Sequence, residues 1–172
     1  GTNATVGGLT IIGGINALTA GDTISTAANG ISTRTSITGF TPFEFTGNNY
    51  SAFTVNGLGG FDNIDLVSFG SAQTNNFPIA LNGNDGNDNI RLHSTSLNTG
   101  LVTLTGGAGG DTIRLGDLTN NVNNIDGLVT VDGADGTSNL NDSLIIDDSG
   151  DTAADSVMVE PVDRTTTDLY KV

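Results

Sequence analysis

A short apolar strand, a glycine-rich turn, an aspartate and a second apolar strand recur along the chain, and this recurrence limits the fold more than any other feature. Three copies agree almost residue for residue: Gly57-Leu58-Gly59-Gly60-Phe61-Asp62-Asn63-Ile64, Gly83-Asn84-Asp85-Gly86-Asn87-Asp88-Asn89-Ile90 and Gly106-Gly107-Ala108-Gly109-Gly110-Asp111-Thr112-Ile113. A looser fourth copy has Gly133-Ala134-Asp135-Gly136 and then Thr137 to Asn141, before Asp142-Ser143-Leu144 restores the order. The opening strands begin at Phe53, Ile79, Val102 and Val129, so successive starts lie 26, 23 and 27 residues apart. A period of this length marks a repeat architecture in which each unit is stabilised by stacking on its neighbours.

Period-two alternation sets the inward face. In Phe53-Thr54-Val55, Ile79-Ala80-Leu81, Val102-Thr103-Leu104 and Val129-Thr130-Val131 the outer residues point one way and the Thr or Ala between them the other. After each aspartate, Ile64 and Leu66, Ile90 and Leu92, Ile113 and Leu115, and Leu144 and Ile146 repeat the alternation. The expected fold is all-β: a parallel β-solenoid, or β-helix, with about 23–27 residues per coil and an irregular, longer first coil. Equivalent residues then stack at roughly 4.8 Å. Each buried Ile, Leu or Val contributes about 1.5–3 kcal/mol against the backbone entropy of a glycine-rich chain. Such a coil is too long for two strands and two tight turns, which calls for a third short strand with loops around Phe69, Phe77, Leu97, Leu118, Val122 and Ile125.

Residues 1–172 read as one solenoid domain: an irregular N-terminal coil or cap over 1–52, regular repeats over 53–155 and C-terminal strands over 156–172. In the first segment, Leu9 to Ile12 followed by Gly21-Asp22-Thr23-Ile24 echoes the unit, but the next aspartate of the series, Asp62, is 40 residues on. The stretch from Ile37 to Phe45 collects phenylalanines that close or widen this end. In the last segment, Val157-Met158-Val159 and Leu169-Tyr170-Lys171-Val172 alternate as strands. No helix-period pattern of useful length occurs.

The acidity of the chain has a particular form. Its formal charge is −14, and 17 of its 19 acidic residues are Asp, the shorter, turn-compatible carboxylate and a good ligand for hard cations. So negative a surface disfavours nucleic acid and anionic lipid, and no apolar run reaches membrane length. With no Cys and a single His, His93, there is neither a disulfide framework nor a donor set for zinc. His93 stands alone, Lys171 is the only lysine, and no nucleophile elbow, phosphate loop or H-E-x-x-H pattern appears, so the chain reads as noncatalytic.

The third unit satisfies the calcium-binding nonapeptide G-G-x-G-x-D-x-U-x in full, and the first two depart at its second glycine. Stacking would bring Asp62, Asp88 and Asp111 into one column, where a divalent ion between rungs relieves carboxylate repulsion. The candidate metal ligands are Asp62, Gly83, Asp85, Gly86, Asp88, Gly106, Ala108, Gly109 and Asp111, the glycines and alanine through backbone carbonyls. A column of Gly, Asn and Asp is equally the composition of plain tight turns. Outside the turns, Arg91 and Arg114 share one outward position with Asp65, which predicts an Asp65–Arg91 pair and leaves two arginines side by side. Asp147, Asp148, Asp151 and Asp155 form an acidic run whose D-D-S-G-D core reads as a turn.

These turns, together with Leu144-Ile145-Ile146-Asp147-Asp148-Ser149-Gly150-Asp151, resemble the repeat regions of very large bacterial surface proteins, related in pattern to calcium-binding RTX repeats. The resemblance covers about residues 53–155. It implies an extracellular or cell-surface structural or adhesive module with Ca2+-stabilised turns, self-associating through solenoid ends into a filament or forming part of a longer repeat chain. The alternative is a polysaccharide-binding or polysaccharide-lyase-type β-helix, with glycans as partners.

Overall fold

The computed structural model describes residues 9–12, 23–29, 32–37, 43–45, 51–69, 77–95, 100–134, 142–153 and 156–160. Among these the chain is all-β. The strands are β1 (Leu9–Ile12), β2 (Thr23–Asn29), β3 (Ser32–Ile37), β4 (Phe43–Phe45), β5 (Phe53–Gly59), β6 (Asn63–Leu66), β7 (Ile79–Asp85), β8 (Asn89–Leu92), β9 (Val102–Ala108), β10 (Thr112–Leu115), β11 (Val129–Asp132) and β12 (Ser143–Ile146).

They form two sheets whose strands alternate along the chain. Sheet 1 has the order β1-β5-β7-β9-β11 and is parallel throughout; sheet 2 has the order β12-β10-β8-β6-β2-β3-β4 and is parallel from β12 to β2. Each rung therefore supplies one strand to each sheet, the strand order of a parallel solenoid. The register repeats the sequence period: Phe53 pairs with Ile79, Ile79 with Val102 and Val102 with Val129. In sheet 2 Ile64, Ile90, Ile113 and Leu144 align in the same way.

The first rung is the irregular one. Between β2 and the return to sheet 1, the chain adds β3 antiparallel to β2 and β4 antiparallel to β3. The phenylalanine-rich stretch thus extends sheet 2 by two strands, and this accounts for the long gap before the second rung.

One core lies between the sheets. Phe53, Val55, Ile79, Leu81, Val102 and Leu104 from sheet 1 meet Ile64, Leu66, Ile90, Leu92 and Ile113 from sheet 2, all buried, while the residues between them are half-buried. At one side Phe69 packs edge-to-face against both Phe53 and Phe77, with ring centroids 5.3 and 5.5 Å apart. These aromatics replace the expected third strand. Phe69, Phe77, Leu118, Val122 and Ile125 lie in turns or irregular backbone, because ring packing and local hydrogen bonds hold them without a ladder; Leu97 falls outside the described residues. Val157–Val159, read from sequence as a strand, carries no strand pairing and is exposed. Its alternation meets no sheet edge to pair with. Leu169–Val172 lies outside the described residues.

Candidate functional site

The glycine turns close each rung on the side where sheet 1 hands over to sheet 2. Pairing of β5 with β7 runs through Asn56↔Asn82, skips the glycines, and resumes at Leu58↔Asn84; β7 and β9 break in the same place. The residue after that glycine is left-handed in all four units: Leu58 has φ 81°, Asn84 78°, Gly107 113° and Ala134 67°. Only the third unit places glycine there, so the other units hold a strained residue at this corner.

This corner turns an aspartate inward. Asp62, Asp88 and Asp111 are 0–1% exposed. Their carboxylates are wired from rung to rung: the Asp62 N–H donates to Asp88 Oδ1 at 2.7 Å, the Asp88 N–H to Asp111 Oδ1 at 2.8 Å, and the Asp111 N–H to Asp142 Oδ1 at 2.9 Å. Asp142 is therefore the fourth member, despite the five-residue interruption before it. Charge-assisted bonds of this kind are stronger than ordinary amide pairs. On the outer faces Asn82 donates to Asn56 at 2.7 Å and Asn89 to Asn63 at 3.1 Å, adding two amide steps to the same stack.

Each aspartate interlocks with the glycine that opens its unit. A methyl group built on Gly57 would overlap Asp62 Oδ2, and the same holds for Gly83 with Asp88, Gly106 with Asp111 and Gly133 with Asp142. The Gly83 methyl would also stand 2.6 Å from Gly106 O in the next rung. The repeated glycine is thus required by the carboxylate above it as well as by the turn.

Of the residues predicted as ligands, Asp62, Asp88 and Asp111 come together, with Gly83 and Gly106 packed against them. Asp85 does not join them: its side chain is exposed, and its carbonyl accepts the Gly60 N–H at 2.8 Å. Ala108 O accepts the Gly86 N–H at 2.7 Å. Gly86 and Gly109 have φ of 140° and 144° and press against the carbonyls of Gly60 and Gly86, where any side chain would collide. These three shape the turn and lie outside the column.

Burial pushes the Asp88 carboxyl up to about 6, opposed by the Asp62 N–H and reinforced by the charges of Asp62, Asp111 and Asp85. Asp88 Oδ2 is buried without a hydrogen-bond partner. An orphaned carboxylate oxygen converging with the Gly106 carbonyl on a place that only glycine leaves open fits a hard cation in donor type. No group of three or more His, Cys, Asp or Glu side chains converges among the described residues, so calcium here would draw much of its oxygen shell from the backbone.

A second aspartate-rich corner follows the sheet 2 strands of the last two rungs. Asp117 Oδ1 accepts from the Thr119 N–H and Oγ1 and from the Asn121 N–H; Asp147 Oδ1 accepts from the Ser149 N–H and Oγ. The two turns stack through Asp147 N–H to Leu115 O and Gly150 N–H to Asn120 O, with Asp148 Oδ1 accepting the Val122 N–H at 3.2 Å and Asp151 accepting from Asn121 and Asn123. The Thr119 hydroxyl holds the Asp117 carboxyl below its ordinary value, the Ser149 hydroxyl does so for Asp147, and the Ala153 N–H for Asp151. Asp155 lies outside the described residues.

The arginine column divides between these regions. Arg91 Nε lies 3.9 Å from Asp65 Oδ1, as the sequence predicts, whereas Arg114 donates to Asp147 and to Asn120 Oδ1. Each guanidinium thus faces its own acid, in opposite directions along the stack. Buried His93 places Nε2 3.4 Å from the same Asp65 oxygen; a carboxylate only accepts, so Nε2 carries the proton. The sequence offered no sign of the Asp65–His93 contact, since its partners lie on different rungs.

No protein-family model matches the chain, and no curated protein or solved structure is detectably similar to it.

Proposed function

We propose that this chain is a noncatalytic structural or adhesive element of the bacterial cell surface or extracellular space, built as a closed β-solenoid whose turns are stabilised by calcium. The observation that carries this reading is the buried aspartate column, continuous from Asp62 to Asp142. Nothing in that column addresses a substrate; its carboxylates point into the stack and tie each rung to the next. The resemblance of the chain to RTX-type surface repeats supplies the location and the cation.

Asp88 and Asp111, with carbonyls of the turns at Gly83 and Gly106, would hold the ion. A bound Ca2+ supplies two positive charges that relieve repulsion among stacked carboxylates. The protein supplies the rest: the glycines admit the carboxylates, the Asp N–H groups orient them, and the apolar core excludes water from one side. The glycan-binding alternative has less to use, because Arg114 is already committed to Asp147 and Asn120.

Thermal melting across a calcium titration tests the proposal. A folded-state site raises the midpoint progressively with ion concentration, and a chelator reverses the rise. A midpoint indifferent to calcium and to chelator would remove the metal from this account and leave a column stabilised by hydrogen bonds and protons alone.

A further inference from the structure

The two ends of the stack are built differently. At the end formed by the first rung, sheet 1 stops at β1, but sheet 2 continues past β2 through β3 and β4. Sheet 2 therefore projects two strands, about 10 Å, beyond sheet 1. At the other end the described sheets finish on the same rung, with β11 and β12 each paired on one side only.

That flush end is also where the core is uncovered. Leu144 is 45% exposed, although Ile113 at the same register is 2% exposed. Ile145 is exposed as well, and Val129 and Val131 are only half-buried where Val102 and Leu104 are buried. The face presented to solvent is the same one that each inner rung presents to the rung above it, with free strand edges and an apolar centre.

We propose that two copies of this chain meet at these flush ends, β12 against β12 and β11 against β11, in a closed two-fold dimer. The inference rests on the solenoid reading above. A head-to-tail filament does not satisfy the same surface: once β12 met the projecting β4 of the next copy, β11 would stand two strand spacings short of its β1. A two-fold axis perpendicular to both sheets has no such mismatch, because each edge meets its own copy in antiparallel pairing and both sheets close together. Continuity with the rung-to-rung interface selects the occupant, since the patch already has the spacing, polarity and apolar centre of one rung facing another. Charge opposes it. Asp132 at the end of β11 and Asp147 after β12 approach their copies across the axis, so added salt strengthens the dimer by screening.

Light scattering on the 172-residue chain, from low micromolar to near-millimolar concentration, tests this. The expected result is a mass that doubles and then stops, at lower concentration in higher salt. Ile145→Lys, on a half-exposed outward position, keeps the melting midpoint and weakens dimerisation tenfold or more. Ile145→Cys, which introduces the only cysteine in its chain, forms a disulfide-linked dimer under mild oxidation, because a two-fold brings each residue near its own copy. A monomer at every concentration overturns the inference, as does an open series of oligomers in which the Ile145→Cys chain forms no cross-link. Either failure with a cooperative, calcium-responsive melt leaves the solenoid reading intact, whereas a chain without cooperative melting fails that reading first.

Discussion

The chain uses aspartate at two corners in opposite ways. At the glycine corner, Asp62, Asp88 and Asp111 are buried and depend on the neighbouring rung for hydrogen bonds; at the other corner, Asp117, Asp147 and Asp151 are partly exposed and collect donors from nearby turn residues. The same carboxyl group is pushed up at Asp88 by burial and held down at Asp117, Asp147 and Asp151 by hydroxyl and amide donors. The first arrangement couples rungs, so its failure is global. The second is mostly a set of local Asx turns, which tolerate change.

The largest effect expected from breaking this contrast comes from Gly83→Ala. Its methyl would overlap Asp88 Oδ2 and crowd Gly106 O, and neither backbone nor buried carboxylate has room to withdraw. A loss of about 3–5 kcal/mol is expected, read by denaturant unfolding. An unchanged midpoint would show that carboxylate and glycine do not interlock.

Next in size are changes to Asp88 itself. Asp88→Ala leaves the buried Asp62 N–H without its acceptor, costing about 1–3 kcal/mol. Asp88→Asn keeps that acceptor and removes the charge. The sign follows from the raised pKa: a folded-state value of about 6 against an ordinary 3.8 favours the protonated form, so its stabilising contribution is complete below pH 3.8 and lost as pH rises through about 6. In chelator, the wild-type midpoint is therefore higher near pH 5 than near pH 7.5, by up to about 3 kcal/mol of stability. Asp88→Asn flattens that window and blunts the calcium response. The lowered carboxyls of the second corner act in the other direction, their contributions being lost only as pH falls below 3.8. A wild-type midpoint that climbs between pH 5 and 7.5 in chelator contradicts the account of Asp88.

Much of the first corner was legible in the sequence, because period-two alternation names the inward residues and the repeat spacing then aligns Asp62, Asp88 and Asp111. Spacing does not show which atom overlies which. That Gly83 and Asp88 belong together through Oδ2 emerges only from the folded turn, as does Asp142 replacing Asp135 as the fourth column member. Leu58 in a left-handed conformation runs against local propensity, and tertiary pairing with Asn84 holds it there. Phe69 and Phe77 read as a strand because apolar alternation cannot distinguish a ladder from edge-to-face packing. The second corner was legible as a turn, but its stacking on Asp117–Asn121 was hidden by a 30-residue separation between Asn121 and Asp151.

Smaller effects belong to the second corner. Ser149→Ala removes one of the two donors that Ser149 gives Asp147, and the backbone N–H remains, so a loss below about 1 kcal/mol is expected. The Arg114 contact to Asp147 is partly exposed and contributes little more than a surface pair. Ser149→Ala that destabilises as much as Gly83→Ala would erase the distinction between the corners.

The smallest expected effect is a gain, at the position that the glycine corner leaves strained. Ala134 is exposed with φ 67°, at the site where the third unit carries Gly107 with φ 113°. A left-handed alanine costs about 1 kcal/mol relative to glycine, part of which is offset by the greater unfolded-state entropy of glycine. Ala134→Gly is therefore expected to stabilise by a few tenths of a kcal/mol to about 1 kcal/mol. The reciprocal change is not symmetric. Gly107→Ala would overlap Asn84 O as well as adopt the strained φ, so it is expected to destabilise by more than Ala134→Gly stabilises. Measured together by denaturant unfolding, the pair separates the conformational cost of the corner from the steric cost of stacking. If both changes came out equal and opposite, the corner would be limited by backbone conformation alone, and the tight approach of neighbouring rungs would carry no weight.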